Sequence, residues 1–152
     1  MTSPHTLAGL WLRASALNQP EVRETLRLRM ADFGGWSVGD VELLRACLGA
    51  FAREFFTELY DVRQVGAFVT EIVSYFGATV PDPLEMEAII RAELGETDVE
   101  VDDISLRTVM MASSLAIVLV VRQNQIREVD VDRLIVAGEE MAAERGWRPR
   151  PG

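Results

Sequence analysis

The sequence predicts an all-α fold, a single-domain bundle of about five to seven helices around a central apolar helix at 104–122. The run 108–121 holds fourteen residues without a charge, fenced by Arg107 and Arg122. As a helix at ~1.5 Å per residue this run spans about 21 Å, short of a bilayer's ~30 Å hydrocarbon core, so it reads as a segment enclosed by other protein. Elsewhere apolar residues recur every three or four positions, the period of a helix with one buried face. Start and stop signals then cut this pattern into seven segments. A chain of 152 residues suits one domain with one core, here 1–152 with loose ends at 1–5 and 147–152.

Leu7, Leu10, Trp11, Ala14 and Leu17 make the first stripe, which Asn18-Gln19-Pro20 stops while Pro20 starts the next helix at its first position. That second helix carries Val22, Leu26, Met30 and Phe33 and ends at Gly34-Gly35, with Trp36 closing over the corner. Ser37 followed by Asp40 reads as a capping box that opens a long helix. Val41, Leu44, Leu48, Phe51, Phe55 and Leu59 form its apolar stripe, opposite Glu42, Arg45, Gly49 and Arg53. Asp61 begins a fourth segment through Val65, Val69, Ile72 and Phe76, ended by Gly77 and Pro81. Asp82-Pro83-Leu84-Glu85 stacks an N-cap acid, a first-position proline and a reciprocal glutamate at the head of a fifth helix reaching Leu94. Asp102 or Asp103 is placed to cap the apolar segment, and Asp130 to cap a last helix through Leu134, Ile135 and Gly138 to Gly146. The competing fold is α+β: Ala116 to Val121 is rich in β-branched residues and could pair with Ile126 to Val131 as a short hairpin near 116–131.

The formal net charge is −9, and all fifteen basic residues are arginine. Without a lysine, Schiff-base and phosphate-loop lysine chemistry is excluded. Nine acids stand against Arg91 between Asp82 and Asp103, a local charge of −8, and the rest of the chain is nearly neutral. This balance disfavours non-specific attraction to nucleic acid or anionic lipid, so neither nucleic acid nor membrane is expected as a partner. The opening MTSPHT has no basic start and no apolar stretch, which points to a cytoplasmic protein without a secretory signal. A lone cysteine makes no internal disulfide.

The sequence offers little to catalysis and leans away from an enzyme. His5, the one histidine, stands beside Pro4 in a segment with little to fix it. Cys47, between Leu44 and Leu48, reads as a small buried hydrophobe. A zinc site lacks ligands. Asp98-x-Glu100-x-Asp102-Asp103 starts like a calcium loop but lacks the glycine and the closing glutamate. Glu54, Glu58 and Glu71 lack the histidines of a di-iron bundle. Arg23, Arg27 and Arg29 before the double glycine suggest a helix-turn-helix, yet the reading helix would begin with acids and apolar residues. No catalytic residue, metal or cofactor is assigned.

Two functional readings follow. The first is a non-enzymatic helical protein–protein interaction module, homodimeric, with an acidic surface at 82–103 in which Glu96, Asp98, Glu100 and Asp102 meet a protein partner. The alternative is a helical carrier or sensor in which Phe51, Phe55, Phe68, Met110, Met111 and Ser114, with Phe56 and Tyr75, line a pocket for an apolar small molecule. Ser113 and Ser114 are the candidate polar groups for such a pocket inside the apolar run, and in a helix both can bond back to the preceding turn.

Overall fold

In the computed structural model, which describes residues 3–56, 61–96 and 98–152, the chain forms seven helices and, among the described residues, no strand. They are α1 (Leu7–Ala16), α2 (Pro20–Asp32), α3 (Val38–Phe55), α4 (Val62–Phe76), α5 (Pro83–Glu93), α6 (Leu106–Asn124) and α7 (Glu128–Glu144), with a 3-10 turn at Gly77–Thr79. The hairpin at 116–131 is not formed, because α6 continues to Asn124 and α7 begins at Glu128. Burial decides this: Ala116 to Val121 are all buried within the bundle, and tertiary packing overrides β propensity.

Several boundaries follow the local signals. The Ser37 hydroxyl accepts from the Asp40 N–H at 3.1 Å and the Asp40 carboxylate accepts from the Ser37 N–H at 3.0 Å, closing the capping box. Asp61 and Gln64 form a second box at the head of α4, and Asp82 accepts from the Leu84 N–H at the head of α5. Two starts differ from expectation. Ser105, not Asp102 or Asp103, caps α6 by accepting from the Thr108 N–H, and α7 begins two residues before Asp130, which lies within its first turn. There Glu128 and Asp130 complement the positive helix end without a side-chain cap. Leu59 and Glu58 lie outside the described residues.

The core is shared between two helices. The apolar α6 packs against α1, α3, α4 and α5, whereas α3 packs against α1, α5, α6 and α7. Both faces of α3 are covered: Leu43, Ala46 and Cys47 are buried as well as Val41, Leu44, Leu48 and Phe51 of the predicted stripe, and Gly49 on the opposite face lies against the Glu93 carboxylate. α6 is long and apolar enough to cross a membrane, and 56% of its most apolar window is buried inside the bundle. Its uncovered part is the first half, where Met110, Met111 and Leu115 are half-buried and Leu106 is exposed.

Among the described residues, both ends are tied to the bundle. The segment after α7 runs back across the bundle, where Thr6 and Pro151 form an antiparallel bridge, the Leu7 N–H donates to the Arg150 carbonyl at 2.9 Å and the Gly152 N–H to the His5 carbonyl at 2.8 Å. Within 1–5, His5 is tied to Glu139, its N–H 3.0 Å from Oε2 and its Nδ1 3.0 Å from Oε1. Both corrections rest on partners far along the chain.

Candidate functional site

α2 packs chiefly on α1 and buries only Leu26 and Met30, so it stands away from the bundle and leaves a groove between itself and the first half of α6. Two adjoining hollows of about 490 and 350 Å³ share Trp11, Arg23 and Met110. The floor is aromatic and sulfur-rich. Trp11 meets Trp36 edge to face at 4.9 Å and 84°, and Met110, Met111 and Leu115 of α6 complete the apolar wall.

The groove walls carry charge of one dominant sign. Arg23 stacks over Trp11 at 5.1 Å from the ring centroid, Arg107 borders the α6 side and Arg27 the α2 side. Arg27 is neutralised by Glu24, its Nε donating at 2.8 Å, and this hydrogen bond holds the Glu24 carboxyl below its ordinary range. Arg23 and Arg107 make no ion pair among the described residues, although this is an acid-rich chain in which most arginines have a carboxylate. The Ser114 hydroxyl donates to the Met110 carbonyl at 2.9 Å, spending its proton inside the helix.

Of the pocket residues expected from sequence, Met110, Met111 and Ser114 meet in this groove; the phenylalanines do not join them. Phe51 is fully buried in the core. Phe55 borders a different hollow of about 380 Å³ at the opposite end of α6, beside Asn124, Ile126 and Leu134. Phe68 packs edge to face on Phe56 at 5.3 Å. Tyr75 is exposed and accepts from Arg122 at 2.9 Å. A single phenylalanine–methionine pocket is therefore not formed, since the rings share a helical period but face different neighbours. Trp11, Trp36, Arg23 and Arg107 were not expected at a common site; only the arginine cluster of α2 hinted at it.

The acidic stretch also divides. Glu93 is buried, with Arg145 donating at 3.2 and 3.4 Å; the Arg45 Nε lies 2.6 Å away on the other side, though its N–H is not aimed at the oxygen. Glu96 pairs with Arg91 through both oxygens. Asp98, Glu100 and Asp102 remain exposed. Nearby, burial pushes the Glu42 carboxyl up; Arg45 and Arg145 oppose this, while Glu93 and Asp102 add to it. Cys47 is fully buried and its thiol is pushed up by burial, as befits an inert packing residue.

Among the described residues, no group of three or more histidine, cysteine or acidic side chains is arranged to hold a metal ion. No family model matches the chain, and no curated protein or solved structure is significantly similar to it.

Proposed function

We propose that this protein is a non-enzymatic interaction module whose α2–α6 groove takes an acidic, amphipathic helix of a partner protein. The observation that carries the reading is the pairing of a tryptophan–methionine floor with Arg23 and Arg107, which make no ion pair among the described residues. An apolar trough between two helices suits the apolar face of a third, and methionine side chains adapt to its shape. Guanidinium groups beside such a trough select carboxylates, which they bind in a planar, two-pronged geometry. At physiological salt charges are screened over ~8 Å, so the arginines lining the groove act most strongly on a partner seated in it. A small apolar ligand would need polar groups to orient it, and Ser114 has already committed its proton.

Trp11 and Trp36 report on the groove directly. Titration with a synthetic leucine-faced, glutamate-flanked helix should change tryptophan emission saturably, and the same helix flanked by lysine should not. Met110→Asp should abolish the response, and Arg23→Glu with Arg107→Glu should weaken it about tenfold, ~1.4 kcal/mol. Equal responses to both helices, or none, would overturn the reading. Saturation by dodecanoate alone would transfer the site to a small amphipathic anion.

A further inference from the structure

The turn between α2 and α3, together with Asp40, builds a socket for a guanidinium. Asp40 is fully buried, and its Oδ2 accepts from the Arg150 Nε at 3.1 Å and from Nη2, while Oδ1 accepts the Arg150 backbone N–H at 3.2 Å. Two carbonyls at the end of α2 take two further donors: Nη1 reaches the Phe33 oxygen at 3.3 Å and Nη2 the Gly35 oxygen. The guanidinium carbon lies 5.2 Å from the centroid of the Phe33 ring. The flanking backbone is read as well, by the Leu7 N–H and the His5 carbonyl on either side of Pro151. Gly39 makes room for it, since a Cβ there would stand 2.9 Å from the Arg148 oxygen. Proline suits this edge, having no N–H to leave unpaired.

We infer that this socket is a recognition site for an extended Arg-Pro segment, filled by residues 147–152 of the same chain and exchangeable for the same segment of a second copy. The polar contacts of Arg150 and Gly152 go to residues 5–7 and 33–40, and none goes to α7. α7 supplies the tether, which turns at Gly146 with φ +85°. The Trp147 N–H donates to the Ala142 carbonyl of α7 and belongs to the tether, whereas these contacts of Arg150 and Gly152 are the same whether the segment arrives from its own chain or from another, the condition for segment exchange between identical protomers. The tether holds its segment at an effective concentration in the millimolar range, which shields the socket from competitors without changing its chemistry.

The test uses two full-length variants. Arg150→Ala opens the socket, and Asp40→Asn spoils the socket but leaves the segment intact, with asparagine still able to serve the helix start. Each alone should be monomeric by native mass spectrometry, and their mixture should yield a 1:1 heterodimer. The peptide Trp-Arg-Pro-Arg-Pro-Gly should bind Arg150→Ala saturably and raise its melting temperature, with the unaltered chain responding about tenfold more weakly because its own segment competes. Alanine in place of the peptide's second arginine should abolish binding. If Arg150→Ala does not fold, Arg150→Lys, which keeps the charge but loses the fork, takes its place. Folded variants that stay monomeric when mixed overturn the exchange, and a folded open-socket variant indifferent to millimolar peptide overturns the recognition site.

Discussion

Ser113 and Ser114 are neighbours on α6, both buried, and they contribute with opposite sign. Ser114 donates back to the Met110 carbonyl, whereas the Ser113 hydroxyl has no hydrogen-bond partner among the described residues. A buried hydroxyl without a partner has lost its water and gained nothing in return, and alanine is also the better helix former. Ser113→Ala should therefore stabilise the protein by about 1 kcal/mol, a rise of roughly 3 °C in melting temperature, while Ser114→Ala should lower stability by about 0.5 kcal/mol. Thermal melts of the two variants read this directly; a lower melting temperature for Ser113→Ala would show that its hydroxyl is satisfied. Sequence reasoning allowed both serines to bond back into the helix, because that option is local. Which one does so depends on the rotamer that the surrounding side chains permit. Cys47 was legible for the opposite reason, since its apolar neighbours on the α3 stripe already required burial.

Between elements, α3 and α7 cross in close contact at Gly138. A Cβ built there would overlap the Cys47 Sγ and lie 2.7 Å from the Cys47 Cα and 2.8 Å from its N, so backbone as well as side chain blocks it. Gly138→Ala should cost about 3 kcal/mol by forcing the helices apart, despite alanine's better helix propensity. Urea unfolding of this variant beside Gly66→Ala, whose Cβ would meet nothing closer than 4.0 Å, separates packing from propensity. The boundaries of α2, α3 and α5 were readable because proline, the capping box and glycine act within a few residues. The apolar run correctly marked a core helix, yet it did not reveal that α3 shares the centre, since Glu42, Arg45 and Gly49 look like a solvent face until Glu93 covers them. The groove was half legible. Met110, Met111 and Ser114 belong to one continuous segment, but Trp11 and Arg23 join them only through the angle at which α2 leaves α1.

Across the whole molecule, three buried carboxylates hold together segments distant in sequence: Glu139 receives the His5 and Thr6 amides, Glu93 lies between Arg45 and Arg145, and Asp40 receives Arg150. At Asp40 this makes stability depend on pH in a way that composition does not disclose. For Asp40, burial alone would raise the pKa, but the Ser37 amide and the Arg150 guanidinium and amide outweigh it and hold the carboxyl below its ordinary value. A folded pKa below the unfolded one, ~3.9, means stabilisation that is complete above that value and lost as pH falls through the folded pKa. Glu42 has the opposite sign, because burial raises its folded pKa. Its favourable contribution is complete below the unfolded value of ~4.3 and lost as pH rises through the folded pKa. Asp40→Asn should thus cost about 3 kcal/mol at pH 7, by leaving Arg150 without its counter-charge, and progressively less as the pH is lowered below ~3.9. Glu42→Gln should raise the melting temperature at pH 7 and converge on the parent protein in acid, where the parent's Glu42 is itself neutral. Melting curves of the three proteins between pH 7 and pH 3 give both signs in one experiment. Parallel pH profiles for Asp40→Asn and the parent would mean that the Asp40–Arg150 pair does not govern the acid limb.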